Sequence, residues 1–507
     1  MTMNPSNRST LAILLAILVL LVATAVPMAV EIATSPEQFL GPYTYHLFLL
    51  LTVGILLCGA WTIVLGGREL QRRGKLLKGV LFAAYLVVTV IAGLDAVLEA
   101  YPPLIPQRVL ANLPFGGNYF FPKGTATYEF RPDLGMKARP NARVEVFYVN
   151  DLIRYGQISP VYDYPTTHVL YVTDSQGFRN SDEATTADVV VLGDSFIELP
   201  YMPIEAVWPS LVARRTGWRI RNLGASGYST THEAVVLRKW GLAYRPRVVV
   251  LAFYEGNDIA ECEDFELFQK SGLSYSQWVA HRSKSPLAWF ERRPVVAMLR
   301  MGLLPYQRVC EQWSGQDAET RAARRSYFNP IAFEAGGRAE TIGLFSYSLK
   351  FLSDDRETMR SQRGWALCRE ALREMKGLCR EIGATLAVLY IPTKERVYLP
   401  LLRGRFTAEA VHKSVAAYHS EVKTMKPEAF EAALFANMDE TERAVGEFCR
   451  NEGIPYFDLT PSFRQAARQG EMIYFPYDSH WNGLGNEIAA DQAGVFLWTL
   501  MQEKKSP

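Results

Sequence analysis

The stretch VVVLGDSFIELP, residues 189–200, decides how the rest of the chain reads. Val189, Val190, Val191 and Leu192 run together with no polar position between them. An apolar run without alternation describes a strand covered on both faces, as in parallel sheets flanked by helices. Gly193-Asp194-Ser195 ends the run. Asp and Ser are favoured turn and N-cap residues, so alone the tripeptide is an ordinary strand-to-helix turn. The sharper alternative is a turn that presents Ser195 as a nucleophile at the carboxyl end of a strand, where open parallel sheets bind ligands.

Working outward, the same rhythm recurs. Apolar runs lie at DVVVLG (188–193), RIRNLG (219–224), RVVVLAFY (247–254), ATLAVLYIP (384–392) and IPYFDL (454–459). Helical patterns fall between them near 205–216, 230–243, 361–382 and 438–452, with a last one near 484–503. Strands alternating with helices predict an α/β doubly wound domain with a parallel sheet over 187–507. Residues 262–360 interrupt it and are too long for a plain loop, which predicts a mostly helical insertion beside the site. Upstream, YPPLIP (101–106) is a stiff, non-helical stretch, and 101–186 reads as an irregular, β-rich connecting segment.

The first hundred residues have another character. Leu11–Val30, Leu47–Leu65 and Val80–Leu98 are apolar stretches, each close to the ~20 residues a helix needs to cross a bilayer. They are expected to form a three-helix membrane anchor; a cleaved signal peptide is disfavoured because two further spans follow the first. Arg68, Arg72, Arg73, Lys75 and Lys78 lie between the second and third spans, whereas Glu31–His46 has no Lys or Arg. The positive-inside rule then puts the N-terminus in the cytoplasm and everything after about residue 100 on the periplasmic or outer side of the cell membrane. Asp95 and Glu99 are expected at the outer interface of the third span.

A formal net charge of +2 over 507 residues argues against nucleic acid as a partner. The six cysteines, at 58, 262, 310, 368, 379 and 449, contain no C-x-x-C pair, which removes zinc ribbons and thioredoxin-like sites. If the soluble part is extracytoplasmic, one disulfide is permitted, and Cys262–Cys310 is the expected pair.

Three further polar clusters fall at or after predicted strand ends: NLGASGYST (222–230), YEGNDI (254–259) and YDSHWNG (477–483). Together with Ser195 they hold the parts of an acyl-transfer site. A serine hydroxyl needs a base, which His480 supplies, and Asp478 can hold the imidazole tautomer. The N–H groups of Ser195 and Gly227 and the Asn257 side-chain amide are candidate oxyanion donors, with Gly227 expected to give the substrate room. Asp194 and Asp258 within these clusters are expected to support them. The route calls for no metal or cofactor.

The order Gly-Asp-Ser, Asn-x-Gly-x-x-Gly, Gly-x-Asn-Asp and Asp-x-His resembles the SGNH (GDSL-like) hydrolase family over residues 187–500, apart from the insertion. That resemblance implies a flavodoxin-like five-stranded sheet, Ser195 as nucleophile, Gly227 and Asn257 in the oxyanion hole, and Asp478 and His480 as orienter and base. DSQGFRN (174–180) and IPTKERVYLP (391–400) also resemble members linked to exopolysaccharide O-acetylation. Two departures stand out: the spacing Asp478-Ser479-His480, shorter than the common Asp-x-x-His, and Phe196 where Leu is frequent. Residue 197 is not Gly, which excludes the Gly-x-Ser-x-Gly elbow of α/β-hydrolases.

The expected function is a membrane-anchored serine esterase or O-acyltransferase working through an acyl-Ser195 intermediate. Its substrate is expected to be O-acetyl groups on a polysaccharide, and transfer would require a membrane partner supplying the acyl donor. A lipase or phospholipase, and a catalytically silent envelope assembly factor, are the rival readings. Among the remaining residues, His232 reads as a helix-start residue, His412 and His419 as surface, and Lys394 as a solvated loop lysine. Trp278, Trp289, Tyr306 and Trp313 read equally as a satellite core or as sugar-stacking rings.

Overall fold

The computed structural model describes residues 38–40, 43–44, 127–148, 167–275, 277–278, 328–476 and 478–503. The three apolar stretches, Asp95 and Glu99 lie outside the described residues, as do Trp289, Tyr306, Cys310 and Trp313. No helix among the described residues is long and apolar enough to cross a membrane. The chain divides into two units, Met1–Thr125 with Val279–Asp317 and Ala126–Trp278 with Ala318–Pro507. In the first unit only a short antiparallel pair, Gln38–Leu40 with Tyr43–Thr44, is described. The second unit holds the other described residues.

Its centre is a five-stranded sheet made by β1 (Val189–Gly193), β2 (Ile220–Asn222), β3 (Val248–Tyr254), β4 (Thr385–Ile391) and β5 (Tyr456–Asp458). All pairings are parallel and the spatial order is β2-β1-β3-β4-β5, the flavodoxin-like arrangement. Register aligns Val189 with Val248, and Val248 with Thr385. The two edge strands have three residues each, while β3 and β4 have seven, so little unpaired backbone is left at the rims.

The apolar runs behave as their composition requires. Val189, Val191, Val248, Val250, Ala387 and Leu389 enter one core, and Val190, Leu192, Val249, Leu251, Leu386 and Val388 enter the other. The first core is closed by α2 (Trp208–Thr216) and by α8 (Gly483–Glu503), through Trp208, Leu211, Ala490 and Leu497. On the second face lie α3 (Thr230–Lys239), α5 (Arg363–Glu381) and α7 (Glu440–Glu452), contributing Val236, Leu372 and Val445. Each such fully buried side chain stabilises the fold by roughly 1.5–3 kcal/mol. Between these come α1 (Ser195–Glu198), α4 (Asp258–Ser271) and α6 (Lys394–Leu402), each starting just past a strand end.

The described part of 101–186 is β-rich. It forms antiparallel hairpins, Tyr128–Arg131 with Gly135–Ala138 and Arg143–Tyr148 with Thr167–Val172, around a small core of Tyr128, Ala138, Val144 and Tyr171. The described part of the insertion carries the rest of α4 and the helices Ser346–Leu352 and Arg356–Ser361, and beside them Phe328–Ala335 and Arg338–Phe345 pair as a hairpin. Its two-residue turn is Gly336-Gly337, with φ of 58° and 76°. Consecutive positive φ values are what a tight hairpin turn demands, and glycine meets them without a Cβ clash.

Candidate active site

In a sheet of this order the chain leaves β1 to opposite sides through β2 and β3, so the ligand crevice opens where the ends of β1 and β3 diverge. Ser195 is the first residue of α1, straight after β1, and Asn257 caps α4, straight after β3. Gly193 sits where the two strands press together: a Cβ there would meet Ala252 Cβ at 3.0 Å and the Ala252 carbonyl oxygen at 3.2 Å. Asp194 caps α1, its Oδ1 accepting from the Phe196 N–H at 2.9 Å.

The fourth cluster, from the segment before α8, arrives at the same point. His480 Nε2 lies 2.6 Å from Ser195 Oγ, and His480 Nδ1 lies 2.6 Å from Asp478 Oδ1. With Nδ1 carrying the proton, the imidazole donates to the carboxylate and accepts from the serine hydroxyl. The His480 backbone N–H donates to the same carboxylate oxygen at 3.1 Å, which fixes the acid relative to the ring. Asp478 is buried, whereas the imidazole keeps 16% of its side chain exposed and can meet a substrate. The shorter Asp-x-His spacing therefore reaches serine. Phe196 and Tyr201 flank the imidazole, with ring centroids 4.9 and 5.7 Å from it. The departure from Leu at 196 thus supplies an aromatic wall for the imidazole.

The proposed oxyanion donors lie on neighbouring turns. Gly227 has φ of 79°, and nothing lies within 4 Å of where a Cβ would project. The positive φ by itself favours glycine here, beside the room for substrate expected of it. Burial pushes the Asp194 carboxyl up to about 6, against the Phe196 N–H, the His480 charge and the Asn257 amide, which all lower it. Asn257 is thus a neighbour of the nucleophile turn. Asp258 accepts from the Tyr254 N–H at 2.8 Å and ties the end of β3 to the start of α4, while burial raises its carboxyl well above the usual range.

Three supporting parts escaped the sequence. Lys394 is fully buried, not solvated. Its ammonium donates to the carbonyls of Asp478 at 2.9 Å, Pro476 at 3.0 Å and Phe475 at 3.4 Å, clamping the loop that carries Asp478 and His480. The rest of IPTKERVY helps: Tyr474 Oη donates to the Pro392 carbonyl at 2.6 Å and Tyr398 Oη to the Glu471 carbonyl at 2.7 Å. The same block reaches the Asn257 turn, because Glu255 accepts from the Thr393 N–H at 2.6 Å and pairs with Arg396 at 3.1 Å.

Glu198 is the second missed part. Its carboxylate accepts from Tyr128 Oη at 3.0 Å, Tyr171 Oη at 2.5 Å and the Ser226 N–H at 2.5 Å. One side chain on the nucleophile helix thereby holds the turn preceding Gly227 and both hairpins. Third, DSQGFRN is a brace. Asp174 pairs with Arg221 at 2.7 Å, and Asn180 accepts from the Asn222 N–H at 3.0 Å. Asn222 in turn donates to the Ile197 carbonyl at 2.5 Å.

Of the remaining residues, His232 caps α3 with Ser229, accepting the Ser229 N–H at 3.1 Å, and burial pushes its imidazole down to about 3. His412 lies 2.9 Å from the Val422 carbonyl, and His419 lies 3.7 Å from Glu421. Trp278 packs on Phe268 at 6.2 Å between ring centroids.

Residues 423–504 match the family described as SGNH hydrolase-like domain, acetyltransferase AlgX. The match holds β5, Asp478, His480 and α8, but not Ser195, Gly227 or Asn257. No curated protein matches the chain. Among solved structures, that of TesA superposes with a TM-score of 0.27 at 12% identity, covering 62% of this chain and 98% of that one. With serine, imidazole and carboxylate joined at the strand ends of a 2-1-3-4-5 sheet, the chain resembles the SGNH hydrolases, and over residues 423–504 the SGNH hydrolase-like domain of the acetyltransferase AlgX.

Proposed function

We propose that this chain, an SGNH-type enzyme acting on ester bonds as a hydrolase or acetyltransferase, is a membrane-anchored serine acyl-transfer enzyme. It works outside the cytoplasm on O-acetyl groups of a polysaccharide. The observation that carries the chemistry is the 2.6 Å separation of His480 Nε2 and Ser195 Oγ.

Ser195 Oγ attacks the ester carbonyl carbon as its proton passes to His480 Nε2, and Asp478 stabilises the imidazolium. The Ser195 and Gly227 N–H groups and the Asn257 amide receive the oxyanion, each donor contributing about 3 kcal/mol to the transition state. His480 returns the proton to the leaving alcohol, leaving acyl-Ser195. It then deprotonates water in hydrolysis, or a sugar hydroxyl in transfer, for the second attack.

The anchor and the outward placement rest on the apolar stretches 11–30, 47–65 and 80–98 and on the basic loop at 68–78. The polysaccharide substrate rests on family analogy and on the anchor, and the partner supplying acyl groups on three spans being too few to carry them across the membrane. The test is p-nitrophenyl acetate turnover by the full chain in detergent, beside Ser195→Ala. Equal rates in the two proteins would remove the nucleophile. Adding a polysaccharide acceptor and measuring product acetate against acetylated sugar separates hydrolase from transferase.

A further inference from the structure

Where α4 crosses α5, two cysteines far apart in sequence face each other. Cys262 Sγ and Cys368 Sγ are 3.2 Å apart and 106 positions apart in the chain. Both side chains are fully buried. The crossing is tight for a stated reason: a Cβ on Gly364 would lie 1.9 Å from the Ile259 carbonyl oxygen, so only glycine allows this approach. Cys368 Sγ also lies 3.5 Å from the Asp258 carbonyl, on the first turn of the helix that Asn257 caps.

We infer that Cys262 and Cys368 form a disulfide site that staples α4, and with it the Asn257 turn, to α5. The sulfurs need to close from 3.2 Å to the ~2.05 Å of a bond. Each helix places its cysteine within two turns of its own start, so the staple locks the ends nearest the site. Cys368 here takes the place expected for Cys310, which lies outside the described residues.

The chemistry balances through an external disulfide such as oxidised glutathione. One cysteine thiolate attacks it, releasing one glutathione thiol and leaving a mixed disulfide; the second thiolate displaces the other glutathione. Two protein thiols give up two electrons and two protons, and one glutathione disulfide becomes two thiols. Burial keeps the oxidant from the folded pair, so the bond forms while the chain folds. The inference leans on the proposed extracytoplasmic placement only for where the oxidant is met.

The test uses the full chain in detergent, opened in urea, equilibrated with oxidised and reduced glutathione, returned to buffer and alkylated. Non-reducing peptide mapping is expected to yield a Cys262–Cys368 cross-linked peptide and a melting temperature several degrees above that of the dithiothreitol-reduced protein. Alkylation at both positions in refolded protein, or Cys262 joined to another cysteine, overturns the inference. The cross-link is expected equally in Ser195→Ala, so its absence speaks against the staple and leaves the catalytic reading untouched.

Discussion

Lys394 Nζ donates to the main-chain carbonyl of Asp478 across 2.9 Å, so a buried ammonium beyond β4 holds the residue whose carboxylate meets His480. Replacing it by Met keeps the volume and removes the donors. Lys394→Met is expected to lower kcat by about 10–100-fold with KM little changed, since a small displacement of the base suffices for that loss. Steady-state kinetics on p-nitrophenyl acetate checks it.

Lys394 also has a stability signature. Burial pushes its amine down to about 8. An unfolded lysine titrates near ~10.4, so between these values the unfolded chain binds more protons and this group adds stability as pH rises. Urea unfolding at a series of pH values is expected to lose that rise in Lys394→Met. An unchanged difference between the two proteins from pH 8 to about 10 would contradict the buried clamp.

Asp194 has the opposite sign. Its carboxyl is pushed up to about 6 by burial, against ~3.9 unfolded, so the folded state binds more protons in that window and stability falls as pH rises through it. Asp194→Asn keeps the acceptor for the Phe196 N–H and removes the buried charge. It is expected to raise stability at pH 7 by about 2 kcal/mol and to add nothing near pH 4. Its activity is expected to fall several-fold, because the charge that steadies imidazolium is gone.

At the reacting groups the expected losses are larger. Ser195→Ala and His480→Ala are each expected to cost about 10⁴-fold or more in kcat, and the double variant little beyond either. Asn257→Ala is expected to cost about 10²-fold, as for a single oxyanion donor. An additive double variant would mean that serine and imidazole do not act as one unit.

Glu198 receives three donors, from Tyr128, Tyr171 and Ser226. Glu198→Gln turns one acceptor into a donor facing them, and is expected to destabilise by about 1–3 kcal/mol in urea. Tyr171→Phe should cost less, because the carboxylate keeps its other donors.

Much of this molecule is written locally. The runs at 189–192, 248–254 and 385–391 have no polar residue at alternate positions, except for Thr385 at the start of β4, and the structure covers both faces of each strand. The helix starts and the four polar clusters at strand ends follow from turn and cap chemistry that needs only a few neighbours. What stayed hidden depends on distant partners. Lys394 looks like a surface lysine until carbonyls 81–84 positions later fold over it. DSQGFRN stands out by resemblance alone, and its partners Arg221 and Asn222 lie 42–47 positions later.

The sequence by itself determined the apolar runs of the sheet, the order of its strands' polar ends and the candidate residues Ser195, His480 and Asp478. Apolar periodicity and residue chemistry are properties of short stretches. Only the tertiary structure decided which charges are buried, why Gly227 is glycine and which sulfur faces Cys262. Burial, φ and contact distance are set by elements up to hundreds of positions away, and no local pattern encodes them.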